Sequence, residues 1–259
     1  MSAKVALVTA SSAGLGAATV KALAPYFRVV VNYHSRAEKA EQVIREATAI
    51  PPVTSPAPAE PRFHAIKADV SQRSEIERLV AETVATMGRL DVVVSNAGWT
   101  RLTDFFDLDQ QVQESDWDKC FSVNVKSHLW LLYAAKPHLE KTHASEGVGG
   151  SFVTIASLAG VRPSGSSLPY SVTKAAEIHL TKGLALICGA KVRCNSVSPG
   201  LMMTEWGNQF PEAKVKATME KSALKGTATV EDVADQIKTL VLSKSMTGQN
   251  IVIDCGIAI

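Results

Sequence analysis

The stretch KVALVTASSAGLG, residues 4–16, decides the fold of this 259-residue chain. Its first half is a short apolar run, typical of a strand buried in a parallel sheet, and the apolar periodicity of residues 17–23 predicts a helix directly afterwards. Gly14 and Gly16 in the intervening turn allow close approach of a pyrophosphate, whose negative charge is favoured by the free N–H groups of the helix start. The stretch therefore predicts the beginning of a nucleotide-binding sheet, although Ala10 breaks the plain Gly-x-Gly-x-x-Gly pattern.

Further apolar runs recur along the chain and are separated by stretches with a helical pattern. Alternation of this kind predicts right-handed strand–helix–strand crossovers. The expected fold class is therefore α/β: a Rossmann-type, doubly wound parallel sheet of about seven strands with helices on both faces, in a single domain over residues 1–259. The later strand-like runs lie at residues 29–31, 63–66, 90–94, 152–155, 192–197 and 251–253.

One stretch interrupts this alternation. Five prolines fall between residues 50 and 61, and proline neither continues a helix nor donates to a sheet ladder. Residues 50–62 are therefore predicted to form a surface loop of extended character. A tolerated insertion is a better explanation of this loop than a recognition role.

Bulk composition limits the classes of partner. The chain is 46% hydrophobic with a net charge of +2, and it has neither a basic tract for nucleic acid nor an apolar run long enough to span a bilayer. The spacing of its four cysteines and six histidines indicates neither a disulfide framework nor a metal site. The sequence begins without a secretory leader, so we expect a cytoplasmic protein.

One tyrosine combines with a lysine and a serine in a pattern that suggests acid–base chemistry. Lys174 follows Tyr170 by four residues, and in a helix such residues share a face. The nearby ammonium is expected to lower the pKa of the phenol, which could then give or take a proton. Ser157, thirteen residues earlier, could orient the reacting group. Alternatively, the pair is only packing and solvated charge on a helix surface.

Six motifs in register connect these features. The chain carries Thr9-Ala-x-x-x-Gly14-x-Gly16, Asn96-Ala97-Gly98, Asn124, Ser157, Tyr170-x-x-x-Lys174 and Pro199-Gly200. In this order and approximate spacing they resemble the short-chain dehydrogenase/reductases over nearly the whole chain. Two positions depart from the family pattern: Ala10 replaces a glycine, and Ser95 stands where an asparagine often precedes Asn96.

The resemblance implies a catalytic set and a nicotinamide cofactor site. Tyr170 would donate the proton, Ser157 would orient the carbonyl oxygen, Lys174 would also bind the nicotinamide ribose, and Asn124 would help to hold a water that links Lys174 to solvent. Taken singly, several of the expected site residues have plainer explanations: Asp69, for example, could only cap a helix. The expected cofactor contacts are Ser11, Ser12, Gly14, Leu15, Gly16, Asn32, Tyr33, His34, Ser35, Arg36, Asp69, Val70, Asn96, Ala97, Gly98, Tyr170, Lys174, Pro199, Gly200, Met202 and Thr204.

The end of the second predicted strand indicates which nicotinamide cofactor to expect. An acidic residue there would bind the ribose 2′-hydroxyl of NAD(H) and repel a 2′-phosphate. Residues 32–36 are instead Asn-Tyr-His-Ser-Arg, with no carboxylate and with a guanidinium that suits a phosphate. We therefore expect NADP(H), although Ala13 lacks the basic side chain that many NADP-preferring relatives place there. Alternatively, Arg36 only solvates the start of the next helix.

The substrate is indicated only by class. Residues 200–222 follow Pro199 and, in such folds, form a mobile flap over the substrate; their apolar bulk, including Trp206 and Phe210, favours an apolar or aromatic carbonyl compound or alcohol. Trp99 could add a wall to the same pocket. Alternatively, these aromatic and methionine side chains pack against the protein itself.

Assembly and function complete the expectations. The helices predicted over residues 123–139 and 170–188 are apolar around more than one face, which favours a homo-oligomer, a tetramer or a dimer. The favoured function is an NADPH-dependent reductase of a ketone or aldehyde, acting reversibly as an alcohol dehydrogenase. The alternatives are a non-catalytic NADP(H)-binding regulatory or scaffold protein and a member diverted to dehydration or isomerisation.

Overall fold

Seven parallel strands alternate with helices in the part of the chain that the computed structural model describes, residues 3–53 and 61–259. The strand order is β3-β2-β1-β4-β5-β6-β7, which confirms the expected doubly wound sheet. The strands are β1 Val5–Val8, β2 Arg28–Tyr33, β3 Phe63–Lys67, β4 Val92–Ser95, β5 Gly150–Ile155, β6 Val192–Pro199 and β7 Asn250–Ile253. The helices are α1 Gly14–Leu23, α2 Ala37–Thr48, α3 Arg73–Met87, α4 Glu114–Phe121, α5 Ser127–Glu146, α6 Leu158–Val161, α7 Leu168–Cys188, α8 Glu212–Lys221 and α9 Val230–Leu242.

The sheet is covered on both faces because its strands are apolar on both sides. Successive side chains of a strand point in opposite directions. In β1, Ala6 and Val8 pack with α1, α2 and α9, whereas Val5 and Leu7 pack with α3, α5 and α7. This two-sided burial is what a parallel sheet requires, and it leaves the ends of the strands as the accessible polar edge.

The turn after β1 lies where the strand order of the sheet reverses. β1 is paired with β2 on one side and with β4 on the other, so the connections diverge from this point and leave a crevice at the carboxyl edge. The glycine turn and the start of α1 stand directly over that crevice. The fold therefore places the predicted nucleotide-binding turn at the site where open α/β sheets bind ligands.

Two predicted surface segments can be compared with the structure only in part. Of the proline-rich loop, residues 54–60 lie outside the described residues, whereas Pro51, Pro52 and Val53 are exposed and in neither helix nor strand. The expected flap contains a short 3₁₀ helix, Gly207–Gln209, and then α8. In the described part of the chain, no helix is long and apolar enough to cross a membrane.

The turn after β1 holds an alanine in a conformation that favours glycine. Ala10 has a φ of 49°, in the left-handed region that costs an L-residue about 1–2 kcal/mol. This position is the one at which the sequence departs from a glycine. The departure therefore places local strain in the backbone of the glycine turn.

Replacing Ala10 with glycine should relieve this strain. Because glycine also gains entropy in the unfolded chain, the expected net stabilisation is up to about 1 kcal/mol. Ala81→Gly, in the exposed middle of α3, is the matched control and should cost about 1 kcal/mol. Urea unfolding of both variants measures the difference. Equal losses of stability in the two variants would show that Ala10 is not strained.

Candidate active site

A large cavity opens over the carboxyl edge of the sheet. It has a volume of about 1230 Å³ and runs from the glycine turn to the start of α7. Many of the residues singled out in the sequence meet on its wall. They are Gly14, Leu15, Gly16, Arg36, Asn96, Gly98, Ser157, Tyr170, Lys174, Pro199, Gly200, Met202 and Thr204.

The glycine turn is held in place by hydrogen bonds from both neighbouring strands. The amide of Asn96 donates to the carbonyls of Thr9 and Ala10, at 3.0 and 3.2 Å. From the other side, Asn32 Oδ1 accepts the Ala10 N–H at 3.0 Å. A Cβ on Gly16 would lie only 2.7 Å from the Ala10 oxygen and from Asn96 Nδ2. The turn is therefore rigid, and Gly16 is required by close packing.

Some of the other expected cofactor residues lie behind the cavity wall. Ser11 is buried and donates to the Val8 carbonyl at 2.7 Å, and Asn32 donates its amide to the Ile66 and Ala68 carbonyls. Their side chains are thus committed to backbone groups, and their part in the site is to support it. The expected residues that do not line the cavity are Ser11, Ser12, Asn32, Tyr33, His34, Ser35, Asp69, Val70, Ala97 and Asn124.

Tyr170 and Lys174 share one face of α7, as their spacing predicts. Ser167 begins this helix by accepting the Tyr170 N–H at its hydroxyl. Both side chains are buried, and Lys174 Nζ lies 5.6 Å from the centre of the Tyr170 ring. Ser157 follows β5 by two residues and begins α6, where its hydroxyl accepts the Ala159 N–H at 3.1 Å. The structure therefore brings three of the four expected catalytic side chains, those of Ser157, Tyr170 and Lys174, to one end of the cavity.

The electrostatics at Tyr170 differ from the sequence expectation. Burial raises the pKa of the phenol above its usual value, and this outweighs the lowering by the charge of Lys174 and by a hydrogen bond from Ser157. The ammonium of Lys174 donates to the Ile155 carbonyl at 2.6 Å and to Glu177 Oε2 at 2.7 Å. The expectation of a lowered pKa was wrong for this structure because burial of the phenol outweighs the charge of Lys174, and Glu177 adds a smaller raising effect.

Asn124 lies in a local widening of the helix that joins α4 to α5. Residues Ser122–Lys126 form a π-helical turn, a feature that often accompanies functional sites. The buried Asn124 amide accepts the Trp99 N–H at 2.7 Å and donates to the Trp99 carbonyl at 2.9 Å. A Cβ on Gly98 would lie 3.7 Å from Asn124 Oδ1 and 3.6 Å from Lys174 Nζ. Asn124 therefore fixes the loop that runs beside the lysine.

At the other end of the cavity, Arg36 is paired with the flap. Its guanidinium lies 2.5 Å from Glu205 Oε2, and Lys39 binds the other oxygen of the same carboxylate. Glu205 belongs to the expected flap, and both cations are about half exposed. An anionic side chain of the flap is thus paired with Arg36, which precedes α2, and with Lys39 in its first turn. No sequence motif marks this contact, because the partners are separated by 169 positions.

Aromatic side chains close the cavity, and some of them were not expected from the sequence. Trp206 packs against Tyr170 with ring centres 5.7 Å apart, and Phe210 packs against Trp206 at 6.3 Å. The loop after β4 adds Leu102, Phe105 and Phe106, which no motif marks. Trp99, in contrast, does not line the cavity. It packs against Cys120, Ala159 and Tyr170.

The possible metal ligands in residues 3–53 and 61–259 are their His, Cys, Asp and Glu side chains. Within them, no group of three or more His, Cys, Asp and Glu side chains could hold an ion.

Comparison with known proteins places this geometry in a family. Residues 4–215 match the family model described as short chain dehydrogenase. A protein of Streptomyces violaceoruber, assigned as ketoacyl reductase 2 of the granaticin polyketide synthase, is 36% identical over 257 residues, which are 98% of this chain and 96% of that protein.

Two solved structures extend the likeness to the fold. A short chain dehydrogenase from Burkholderia cenocepacia in complex with NADP is 29% identical, with a TM-score of 0.84 over 100% of this chain and 99% of that one. A 3-ketoacyl-(acyl-carrier-protein) reductase from Brucella melitensis, complexed with NADH, is 23% identical, with a TM-score of 0.85 over the same shares. The chain therefore belongs to the short-chain dehydrogenase family of oxidoreductases.

Proposed function

We propose that this protein is an NADPH-dependent reductase of ketones or aldehydes, acting reversibly as an alcohol dehydrogenase. The observation that carries the proposal is the meeting of Ser157, Tyr170 and Lys174 at one end of a cavity whose other end is the glycine turn. Carbonyl reduction needs a hydride donor, a proton donor and a hydrogen bond to the carbonyl oxygen. Residues of the cavity wall would serve as the proton donor and the hydrogen-bond donor, and the cavity has room for a hydride donor.

The residues present fit a dinucleotide cofactor. Gly14 has a φ of 54°, and a Cβ there would lie 3.5 Å from the Thr204 methyl group, so the missing side chain leaves a narrow cradle between turn and flap. The N–H groups at the start of α1 favour a pyrophosphate in this cradle. When bound, the nicotinamide supplies the hydride. The expected residues that line the cavity would contact the cofactor, and those behind the wall would hold the turn and the strand ends in place.

The proton chemistry is assigned to the side chains at the start of α7. Tyr170 donates the proton to the carbonyl oxygen, and Ser157 holds that oxygen by a hydrogen bond. Lys174 has three N–H donors, two of which bind Ile155 and Glu177, and the third is assigned to the nicotinamide ribose. Asn124 positions the loop beside the lysine and helps to hold a water that leads to solvent.

The substrate is proposed to be an apolar or aromatic carbonyl compound. Trp206 and Phe210 from the flap and Phe105 from the opposite loop line the cavity, and they offer large apolar surface to a bound molecule. The similarity to a protein assigned as a ketoacyl reductase supports a ketone as the reacting group. We also propose that the protein acts in the cytoplasm.

Tyr170→Phe tests the proton-donor role. Removal of the hydroxyl should lower ketone reduction by NADPH at least about a hundredfold, because general acid catalysis of this kind contributes about 10²–10⁴-fold. NADPH affinity, measured by fluorescence, should stay close to that of the unmodified protein. Tyr26→Phe, at a half-exposed tyrosine remote from the cavity, is the control. Ketone reduction that persists unchanged in Tyr170→Phe would exclude Tyr170 as the proton donor. Absence of ketone reduction in the unmodified protein would favour a dehydratase, an isomerase or a binding protein.

Cofactor preference is tested at Arg36 and Glu205. Arg36→Ala should weaken NADPH binding about tenfold or more, because a charge-assisted contact to the 2′-phosphate is lost. Glu205→Gln should tighten NADPH binding several-fold, because it removes the carboxylate that competes for Arg36 and Lys39. NADH, which has no 2′-phosphate, should be little affected by either change.

Matched surface variants serve as controls for this experiment. Arg45→Ala and Glu46→Gln alter exposed charges on α2 away from the cavity, and neither should change the affinity for NADPH. Fluorescence titration at one fixed ionic strength measures all of these affinities. Equal binding of NADPH and NADH, unmoved by Arg36→Ala, would contradict the NADP(H) assignment.

Assembly is proposed to be a homo-oligomer, a tetramer or a dimer, formed through α5 and α7. Leu186 and Ile187 near the end of α7 are 88% and 79% exposed, and Tyr133 on α5 is 66% exposed. Large apolar side chains exposed on a surface in this way are typical of a protein interface. These exposed residues agree with the sequence pattern, in which both helices are apolar around more than one face.

Leu186→Asp should dissociate this assembly. A carboxylate buried in an apolar interface loses hydration without gaining a partner, so the subunits should separate while each keeps its fold. Sedimentation velocity gives the mass, and circular dichroism checks the fold. Leu224→Asp, at an exposed leucine outside both helices, should leave the mass unchanged. A single subunit mass in the unmodified protein would refute the proposal.

A further inference from the structure

A chain of buried polar side chains runs from the end of β4 to the lysine of the active site. Ser95 Oγ lies 2.6 Å from His128 Nδ1, and His128 Nε2 lies 3.4 Å from Glu177 Oε1. The other oxygen of Glu177 accepts a hydrogen bond from Lys174 Nζ at 2.7 Å. All four side chains are at least 97% buried. Three separate elements, β4, α5 and α7, contribute to this chain.

His128 and Glu177, in the middle of this chain, each have one polar atom that faces the other residue. Among the described residues, neither His128 Nε2 nor Glu177 Oε1 has a well-formed hydrogen-bond partner. If the Ser95 hydroxyl donates to Nδ1, the ring proton stands on Nε2 and faces Glu177. A small movement of either side chain then completes the hydrogen bond. The arrangement therefore connects Ser95 to Lys174 without a gap that would need another group.

We propose that Ser95, His128 and Glu177 form a buried relay that offsets the charge of Lys174 and thereby sets the pH at which the Tyr170–Lys174 pair loses its proton. These three residues are positioning residues, because they act on the reacting oxygen only through Lys174. The inference rests on the proposed function for its catalytic consequence. Its electrostatic part concerns the protein alone and can be tested without a cofactor.

The charges around Glu177 explain why the relay would act near neutral pH. The titratable groups that face it are Lys174 and Tyr170 on α7, His128 on α5 and, beside the lysine, Cys120 on α4. Burial raises the pKa of the Glu177 carboxyl to about 7, although Lys174 lowers it in part. Burial and the charge of Lys174 lower the pKa of His128 to about 3.

Tyr170, Cys120 and Lys174 keep their protons near neutral pH. Burial raises the pKa of Tyr170 above its usual value and that of Cys120 to about 11, and Glu177 raises the pKa of Lys174. Around pH 7 the only member of this group to change charge is therefore Glu177. When it is ionised it opposes the loss of a proton from the Tyr170–Lys174 pair, because that loss would leave more negative charge in the same buried region.

The departure of Ser95 from the family pattern fits this arrangement. A hydroxyl is short enough to reach His128 across the end of β4 and can either donate or accept. An unpaired imidazole nitrogen at this fully buried position would be costly. The serine therefore provides a hydrogen-bond partner for His128 Nδ1 and leaves Nε2 to face Glu177.

Glu177→Gln tests the relay in the protein without cofactor. The amide keeps the shape and removes the charge, so the pKa of the Tyr170 phenol should fall by about one unit or more. The absorbance change on phenolate formation measures it, as the difference between each protein and the same protein carrying Tyr170→Phe. Thr83→Val, which removes a buried hydroxyl that donates to the Leu79 carbonyl in α3 without changing a charge, should leave the titration unmoved. Glu177→Asp should restore much of the original value.

The same variants are then compared in alcohol oxidation, in which Tyr170 must lose its proton. The apparent pKa of kcat/KM should shift to lower pH in Glu177→Gln by about the amount seen in the phenol titration. A purely structural role would lower the rate without moving either pKa, and that result would overturn the relay. Failure of the proposed function would appear separately, as activity that survives Tyr170→Phe.

Nuclear magnetic resonance of the histidine rings gives an independent test. His128 should remain neutral, with its proton on Nε2, at pH values where an exposed histidine has already titrated. His128→Gln identifies its signals. A His128 ring that becomes charged near pH 6.5, or that carries its proton on Nδ1 throughout, would refute the hydrogen-bond order on which the relay depends.

Discussion

The turn after β1 is tied to the strands on both of its sides by amide side chains. Asn32 holds the turn from β2, and Asn96 holds it from the end of β4. Thr9 completes the tie, because its hydroxyl accepts the N–H groups of Asn96 and Ala97. The crevice between β2 and β4 therefore has fixed walls, and the cavity that begins there depends on this fixed end.

The same constraint determines where the proposed catalytic groups lie. Parallel strands present their carboxyl ends at one edge, so a residue that closely follows β5, such as Ser157, lies on the same side as the glycine turn. Lys174 is then drawn to that edge by the Ile155 carbonyl, which belongs to the last residue of β5. Strand ends, rather than long loops, thus position both the proposed cofactor end and the proposed proton-donor end.

The parts of this structure that the sequence predicts are those governed by local pattern. Apolar runs predicted the strands, and the spacing of Tyr170 and Lys174 predicted a shared helix face. The sequence could not predict the partner of Lys174, because a glutamate three residues further along a helix is ordinarily a solvated charge. His128 gave no signal for a similar reason, since its role depends on how α5 packs against α7. The contact between Arg36 and Glu205 depends on where the flap settles, which no short motif determines.

The buried chain from Ser95 to Lys174 also limits how this sequence can change. Removing one partner of a buried polar pair leaves the other unsatisfied, at a cost of about 1–3 kcal/mol, and more when that group is charged. Glu177 is therefore tolerable only beside Lys174, and His128 only beside Ser95 and Glu177. Substitutions at these positions are coupled, so their effects on stability should not add. A descendant of this chain would have to replace the three supporting residues together, or pass through variants that are less stable than either end point.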